Sequence, residues 1–330
     1  ILEALEYYYS SLISTGNTVV LKPSEQDPLT HHRVVELAME AGLPPVVLNV
    51  VHGGREAVTA LVEHPDVRGI SFVGSSETAR FLYAKAAQEG KRVQALGGAK
   101  NFMVVLPDAD FDRANDAIID SCFGSTGQRC LAGSMLVGVG DAYAPMRERL
   151  LDRASSLRMG NGLDEGIDMG PVVSRPHRDR VVALIDQGVA EGPALLLDGR
   201  GATVPEYPEG HWIGPTVFEG VTPEMVLGRE EIFGPVAGLA QVSSLDDAVE
   251  LMHRVHYGNS TGIFTTSGKA AREFRYKAGI SMIGVNIGVA APMAFFPFGG
   301  ARSSFYGDLK AQGSDAIDFY TDKRVVISRW

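Results

Sequence analysis

The chain has 330 residues, and 45% hydrophobic against 21% charged residues is the balance of a folded soluble protein long enough for two domains. A formal net charge of −10 argues against a nucleic-acid or anionic-membrane partner, and no run reaches spanning length or resembles a signal peptide. Two cysteines, Cys122 and Cys130, form neither a disulfide framework nor a zinc site, which points to a reducing, cytoplasmic compartment and to no resident metal.

The sequence does not open on Met, and Ile1 to Ser11 reads as a helix already under way, so the first domain is expected to begin upstream of residue 1. Thr18-Val19-Val20-Leu21 is a short β-branched run closed by Lys22-Pro23-Ser24. A helix is predicted over His31 to Glu40, stopped by Gly42 with Pro44 and Pro45 beyond. Val46 to Val51 is strand-like, Arg55 to Glu63 helical, and Val67 to Val73 a third strand. Gly74-Ser75-Ser76 then caps a helix running to about Gln88, and Lys91 to Leu96 and Phe102 to Leu106 follow as strands. Strands separated by helices of about ten residues imply right-handed crossovers in a parallel sheet. Such sheets bind ligands at the carboxyl ends of their strands, where Lys22 to Glu25, Gly74-Ser75 and Gly97-Gly98 fall. A lysine, a carboxylate, a helix N-terminus and two glycines on one edge look like a nucleotide site.

The second half repeats this texture with longer loops at Asn161 to Pro171 and Gly199 to Gly214. Helices are predicted at Asp112 to Gly124, Ala144 to Leu157, His177 to Glu191, Asp246 to Arg254 and Lys269 to Lys277. Strands are predicted at Ser134 to Val139, Ala237 to Val242 and Ile280 to Asn286. Near the end, Arg324-Val325-Val326-Ile327 is an apolar β-run. A free edge of that kind calls for pairing, either with a second copy of the chain or with the chain's own sheet.

Gly127-Gln128-Arg129-Cys130 places a cysteine in a small-residue turn beside a guanidinium. The thiolate is the reactive form, favoured by oriented backbone amides and by nearby positive charge, and Arg129 offers a donor fork suited to a carboxylate. Against this stands a buried structural thiol with an ordinary ion-paired Arg. Gly138-x-Gly140 lacks the third glycine of a dinucleotide fingerprint and lies inside a strand. His31-His32 and His253/His256 have no ligand-like neighbours. Glu230-Glu231-Ile232-Phe233-Gly234-Pro235 is stronger, since a carboxylate can hold ribose hydroxyls and Phe233 can press on a flat ring.

Together these segments resemble the aldehyde dehydrogenase superfamily over almost the whole chain. The matches are Lys22-Pro23-Ser24-Glu25, Phe72-Val73-Gly74-Ser75, Leu96-Gly97-Gly98, Gly127-Gln128-Arg129-Cys130, Glu231-Ile232-Phe233-Gly234-Pro235 and Phe298-Gly299-Gly300, in the family's order. The resemblance implies an α/β fold with a doubly wound parallel-sheet cofactor domain plus an α/β catalytic domain. It implies bounds of 1–98 and 99–292, followed by a tail at 293–330 that supplies an oligomerisation strand. It also implies that Cys130 attacks an aldehyde and that hydride passes to NAD, leaving a thioester. Lys22 and Glu25 would hold the adenosine ribose and Gly74 and Ser75 the pyrophosphate, with Phe72 and Gly97 also at the cofactor. Glu231 would hold the nicotinamide ribose and Phe233 would lie near the ring. Gln26 stands where many relatives carry a basic residue, and it is given little weight as a contact.

Hydrolytic members carry a glutamate just before Leu96-Gly97-Gly98, where this chain has Ala95. Without that base, which contributes about 10²–10⁴-fold, water is a poor acyl acceptor and a thiol such as coenzyme A is expected. Ala95 with Arg129, Val104 to Asp110, Ala301-Arg302-Ser303-Ser304 and Gly307-Asp308-Leu309 are similar to the CoA-acylating methylmalonate-semialdehyde dehydrogenase branch. That likeness implies an acidic semialdehyde as substrate, with Arg129 on its carboxylate, loss of CO₂, and release of acetyl- or propanoyl-CoA from a homo-oligomer. Full-length relatives carry an upstream segment that supplies part of the cofactor domain, an oxyanion-hole amide and a second substrate arginine. The alternatives are therefore an inactive remnant that keeps a binding or oligomerisation surface, or a hydrolytic aldehyde dehydrogenase with another base.

Overall fold

Residues 11–330 are described by the computed structural model, and they divide into two units. The helix expected from Ile1 and its Tyr7-Tyr8-Tyr9 run lie outside the described residues except at the end, where 11–14 are helical.

The first unit comprises Ile1–Gly97, Pro292–Gly299 and Phe305–Trp330. Its strands are β1 (Val19–Leu21), β2 (Leu48–Val50), β3 (Gly69–Val73) and β4 (Arg92–Leu96). Helices Leu29–Glu40, Arg55–Glu63 and Ser76–Gln88 connect them. β1 pairs with β2 in parallel, and β3 with β4 likewise. Local chemistry sets the ends of these elements. Gly42 takes φ +98° just past the first helix, a conformation cheap only for glycine. Ser75 caps Ser76–Gln88 by accepting the Thr78 N–H at 3.3 Å. The expected parallel strands are present, yet among the described residues they stand as two sheets, β1-β2 and a separate one holding β3 and β4.

In the second unit, Gly98–Ala291 with Gly300–Ser304, seven strands form one sheet. They are β5 (Asn101–Val105), β6 (Gly133–Val139), β7 (Ala194–Leu197), β8 (Thr216–Glu219), β9 (Val236–Val242), β10 (Ser260–Phe264) and β11 (Met282–Val285). Their order is β11-β10-β5-β6-β9-β8-β7, parallel throughout except between β7 and β8. Side chains alternate between the two faces. Phe102 and Val104 join a core with Met135, Val137 and Ile263, while Met103 and Val105 join another with Ile118, Leu136 and Leu239. Burial on both faces explains the unbroken apolar runs of β5 and β6.

The segment from residue 293 does not stand apart as a third body. Most of it belongs to the first unit, where β12 (Phe305–Tyr306) adds antiparallel to β4 and helix Gly313–Tyr320 follows. The strand expected at Arg324 to Ile327 does not form within this chain. Residues 321–330 are irregular, with Val325, Val326 and Ile327 at least 82% exposed. Among the described residues no strand pairs with this run, which leaves its amides to water.

Candidate active site

In the first unit the predicted cofactor residues gather at strand ends. Lys22 closes β1, and its ammonium donates to the Gly53 carbonyl at 2.9 Å and to Glu25 at 3.2 Å. The Glu25 carboxyl is held below the usual range by its backbone hydrogen bond and by Lys22. Beyond β3, the Gly74 N–H donates to the Leu96 carbonyl at 3.0 Å, which ties this turn to the end of β4 and to Gly97 behind it. A β-carbon at Gly74 would meet the Phe72 ring at 2.5 Å, so the tip of the ring lies against the turn where Ser75 opens a helix. Exposed N–H groups at that helix start suit an anion. A cleft of about 1510 Å³ runs beside these residues, lined by β1, β3, Lys22, Glu25 and Thr78. A lysine–carboxylate pair and the first turn of a helix around one cleft suit a dinucleotide. Ala95 is fully buried in β4, opposite Phe72 of β3 and Tyr306 of β12.

In the second unit Cys130 sits in the loop between helix Phe111–Phe123 and β6. Ser125, Thr126 and Gly127 are all left-handed, at φ +49°, +57° and +65°. Two of these are non-glycine residues in a sparsely populated region, strain of the kind that gathers at functional sites. The Thr126 hydroxyl donates to the Gly170 carbonyl at 2.8 Å, and the Gln128 side-chain oxygen accepts from the Val173 N–H at 2.9 Å. Asn101 and Asn259 hold the Cys130 carbonyl at 2.9 and 2.7 Å.

Cys130 is partly exposed and Cys122 buried. Burial pushes the Cys122 thiol up to about 12, which makes it inert. Burial and then the Glu231 carboxylate also push the Cys130 thiol up, while its own backbone N–H and that of Leu131 pull it down. The expectation that Arg129 lowers this thiol is not met. The guanidinium instead pairs with Asp120, on the last turn of helix Phe111–Phe123, at 3.4 Å and donates to the Ser125 hydroxyl at 3.1 Å. With both partners part-exposed, that pair contributes about 0–1 kcal/mol, and an incoming carboxylate can displace it.

Glu231 accepts the Ala99 N–H at 3.0 Å. Desolvation raises its carboxyl to about 7, against the pull of that N–H and of Lys100 and Arg180. Lys100, buried without a hydrogen-bond partner among the described residues, is lowered to about 8 by desolvation. Phe233 adopts φ +58° and is 37% exposed, an outlier for a bulky side chain. His177 holds that turn, its Nε2 lying 2.7 Å from the Phe233 carbonyl with the two rings edge-on at 6.1 Å. Arg180 donates at 2.8 Å to the carbonyls of both Glu231 and Ile232. Ala99, Gly127, Arg129, Glu231 and Phe233 line one cavity of about 20 Å³, room for about a single water. Arg129, Glu231 and Phe233, singled out from the sequence, thus come together at one cavity lining, while Asn101, Asn259, His177, Arg180 and Lys100 beside them were not singled out. Only Lys100 and Asn101 carried a hint, as polar residues next to the Gly97-Gly98 element.

The aldehyde dehydrogenase family profile matches residues 10–326. The chain belongs to the aldehyde dehydrogenase family. It is 47% identical over 318 residues to a malonate-semialdehyde dehydrogenase of Halalkalibacterium halodurans, covering 96% of this chain and 65% of that protein. A malonate-semialdehyde dehydrogenase 1 of Geobacillus kaustophilus is 48% identical, with the same 96% and 65% coverage. Among solved structures, a methylmalonate-semialdehyde dehydrogenase from Oceanimonas doudoroffii superposes with a TM-score of 0.97 at 42% identity, over 99% of this chain and 67% of that one. A putative methylmalonate-semialdehyde dehydrogenase from Sinorhizobium meliloti 1021, complexed with NAD, gives 0.96 at 43% identity, over 98% and 66%. The chain spans about 65% of the length of these curated relatives. Among the described residues no helix is long and apolar enough to cross a membrane, and no cluster of three metal-binding side chains occurs.

Proposed function

We propose that this chain carries the nucleotide-binding and nucleophile-bearing parts of an NAD-dependent, CoA-acylating malonate- or methylmalonate-semialdehyde dehydrogenase. The observation that carries the reading is Cys130, a partly exposed thiol in a strained loop that shares one cavity lining with Glu231 and Phe233 through Gly127 and Arg129. The likeness to relatives named for these semialdehydes supports the substrate class.

The Cys130 thiolate adds to the aldehyde carbon, and the carbonyl pair moves to oxygen. Bound NAD would supply the hydride acceptor for the aldehyde hydrogen, so that Cys130 keeps the acyl group on its sulfur as a thioester. Lys22 and Glu25 are suited to the adenosine ribose, the Ser75 turn to the pyrophosphate, and Phe72 and Gly97 to the walls beside it. Glu231 accepts a ribose hydroxyl and Phe233 bounds the ring. Arg129 holds the substrate carboxylate, which departs as CO₂ and leaves its electron pair on the α-carbon for a proton. The CoA thiolate then displaces Cys130. Malonate semialdehyde, NAD⁺ and CoA thereby yield acetyl-CoA, CO₂ and NADH, with charge and hydrogen balanced. Because Ala95 offers no base, water competes poorly for the thioester.

The test is NADH formation from malonate semialdehyde with and without CoA, using the wild-type chain and Cys130→Ala. CoA-dependent turnover lost in Cys130→Ala supports the reading. No turnover at all indicates an inactive remnant, and equal turnover without CoA indicates a hydrolytic enzyme. The fate of Val325 to Ile327 belongs to the same reading, as a strand offered to a second subunit.

A further inference from the structure

Two buried amides converge on one main-chain oxygen. Asn101 Nδ2, at the start of β5, donates to the Cys130 carbonyl at 2.9 Å, and Asn259 Nδ2, just before β10, donates to the same oxygen at 2.7 Å. Both side chains are 4% exposed, so the two bonds are made away from competing water. This carbonyl and the Leu131 N–H are the two ends of a single peptide group, and that N–H is one of two backbone amides that draw the Cys130 thiol down against its burial. Donors on a peptide oxygen increase the double-bond character of C–N and the positive charge on N–H. Each added bond in such a chain strengthens the next by about 10–30%.

Building on the nucleophile assignment above, we infer that Asn101 and Asn259 are positioning residues that polarise the peptide between Cys130 and Leu131, strengthen its N–H toward the Cys130 sulfur, and hold the nucleophile's main chain in its strained loop. Neither touches the reacting atoms. Asn101 has a structural share besides, since it also donates to the Ala132 carbonyl at 2.8 Å and accepts the Ser260 N–H at 3.1 Å. Asn259 is therefore the cleaner probe. It lies 129 residues from Cys130 in sequence and joins β10's entry to the nucleophile loop.

The experiment follows iodoacetamide alkylation of Cys130 against pH in the full chain, with Cys130→Ala as the control for Cys122, in wild type, Asn259→Ser and Asn101→Ser. In Asn259→Ser the alkylation midpoint should rise by about half a pH unit, making the thiolate about threefold scarcer at neutral pH. kcat/KM for the aldehyde should fall by a like factor, with NAD affinity unchanged. The Leu131 amide proton should shift upfield as its bond weakens. Where a serine variant fails to fold, Asn259→Asp, which keeps the shape and removes the donor, should give the larger rise. An unchanged alkylation profile and Leu131 shift in a folded Asn259 variant would overturn the clamp while leaving Cys130 as nucleophile. Failure of wild-type Cys130 to alkylate would remove the nucleophile assignment and the clamp together.

Discussion

Gly127 approaches Gly234 so closely that a β-carbon on Gly127 would stand 2.2 Å from the Gly234 carbonyl oxygen. The nucleophile loop and the Glu231 to Pro235 turn are thus in main-chain contact, and the contact exists because Gly127 has no side chain. Gly127→Ala adds a methyl at that point and also has to hold φ +65°. Strain of this kind costs on the order of 1–3 kcal/mol before the clash is counted. The urea midpoint should drop accordingly and CoA-dependent NADH formation should be lost. A variant of unchanged midpoint and activity would contradict the close approach.

Glu231 supplies a pH test. Its folded carboxyl is raised from 4.5 to about 7, so the native state binds more protons than the unfolded chain between those values. The sign follows from linkage: stability present at low pH declines as pH rises through about 7. Glu231→Gln removes this slope and should be the more stable protein above pH 7, by up to about 3 kcal/mol and less where solvent reaches the carboxylate. Urea denaturation at pH 5 and pH 8 measures it; parallel behaviour of the two proteins would refute the burial argument.

Arg129→Leu separates structure from recognition. Its ion pair with Asp120 is part-exposed, so the urea midpoint should move little. A charge-assisted contact to substrate is worth about 1.5–3 kcal/mol, which predicts a KM for malonate semialdehyde raised about 10–100-fold and one for propanal almost unchanged. Equal effects on both aldehydes would return Arg129 to a purely structural role.

Ser75→Ala deletes the cap that accepts the Thr78 N–H. Stability of the first unit should fall by about 1 kcal/mol. Isothermal titration should show weaker NAD binding, because the turn that presents the helix amides loses its anchor; unaltered affinity would place the pyrophosphate elsewhere.

Much of this architecture was legible because local chemistry decides it. Arg55–Glu63 ends where the pattern ends, Gly42 sits in the left-handed conformation its position demands, and Ser75 caps the predicted helix. β10 was not predicted, since Ser260-Thr261-Gly262 carries no apolar run. It is buried on both faces, and the Thr261 hydroxyl is satisfied by the Phe102 carbonyl at 2.8 Å. β12 is two residues long and exists only because β4 offers an edge. Arg180 and His177 were illegible for another reason: they grip carbonyls 51 to 56 residues away, and a carbonyl looks the same in every residue.

The division of the first unit's strands into two sheets bears on how that unit opens. β1 and β2 hold each other through three register pairs, with the broad cleft on the side that β3 also lines. A lone two-stranded ribbon is marginal in water, whereas β6 is flanked by β5 and β9 along its length. Deuterium should therefore enter at Val19 to Leu21 within the earliest time points and reach Met135 to Val137 last. Lys22, at the end of the first of these segments, is thus anchored to the part of the unit that breathes most readily.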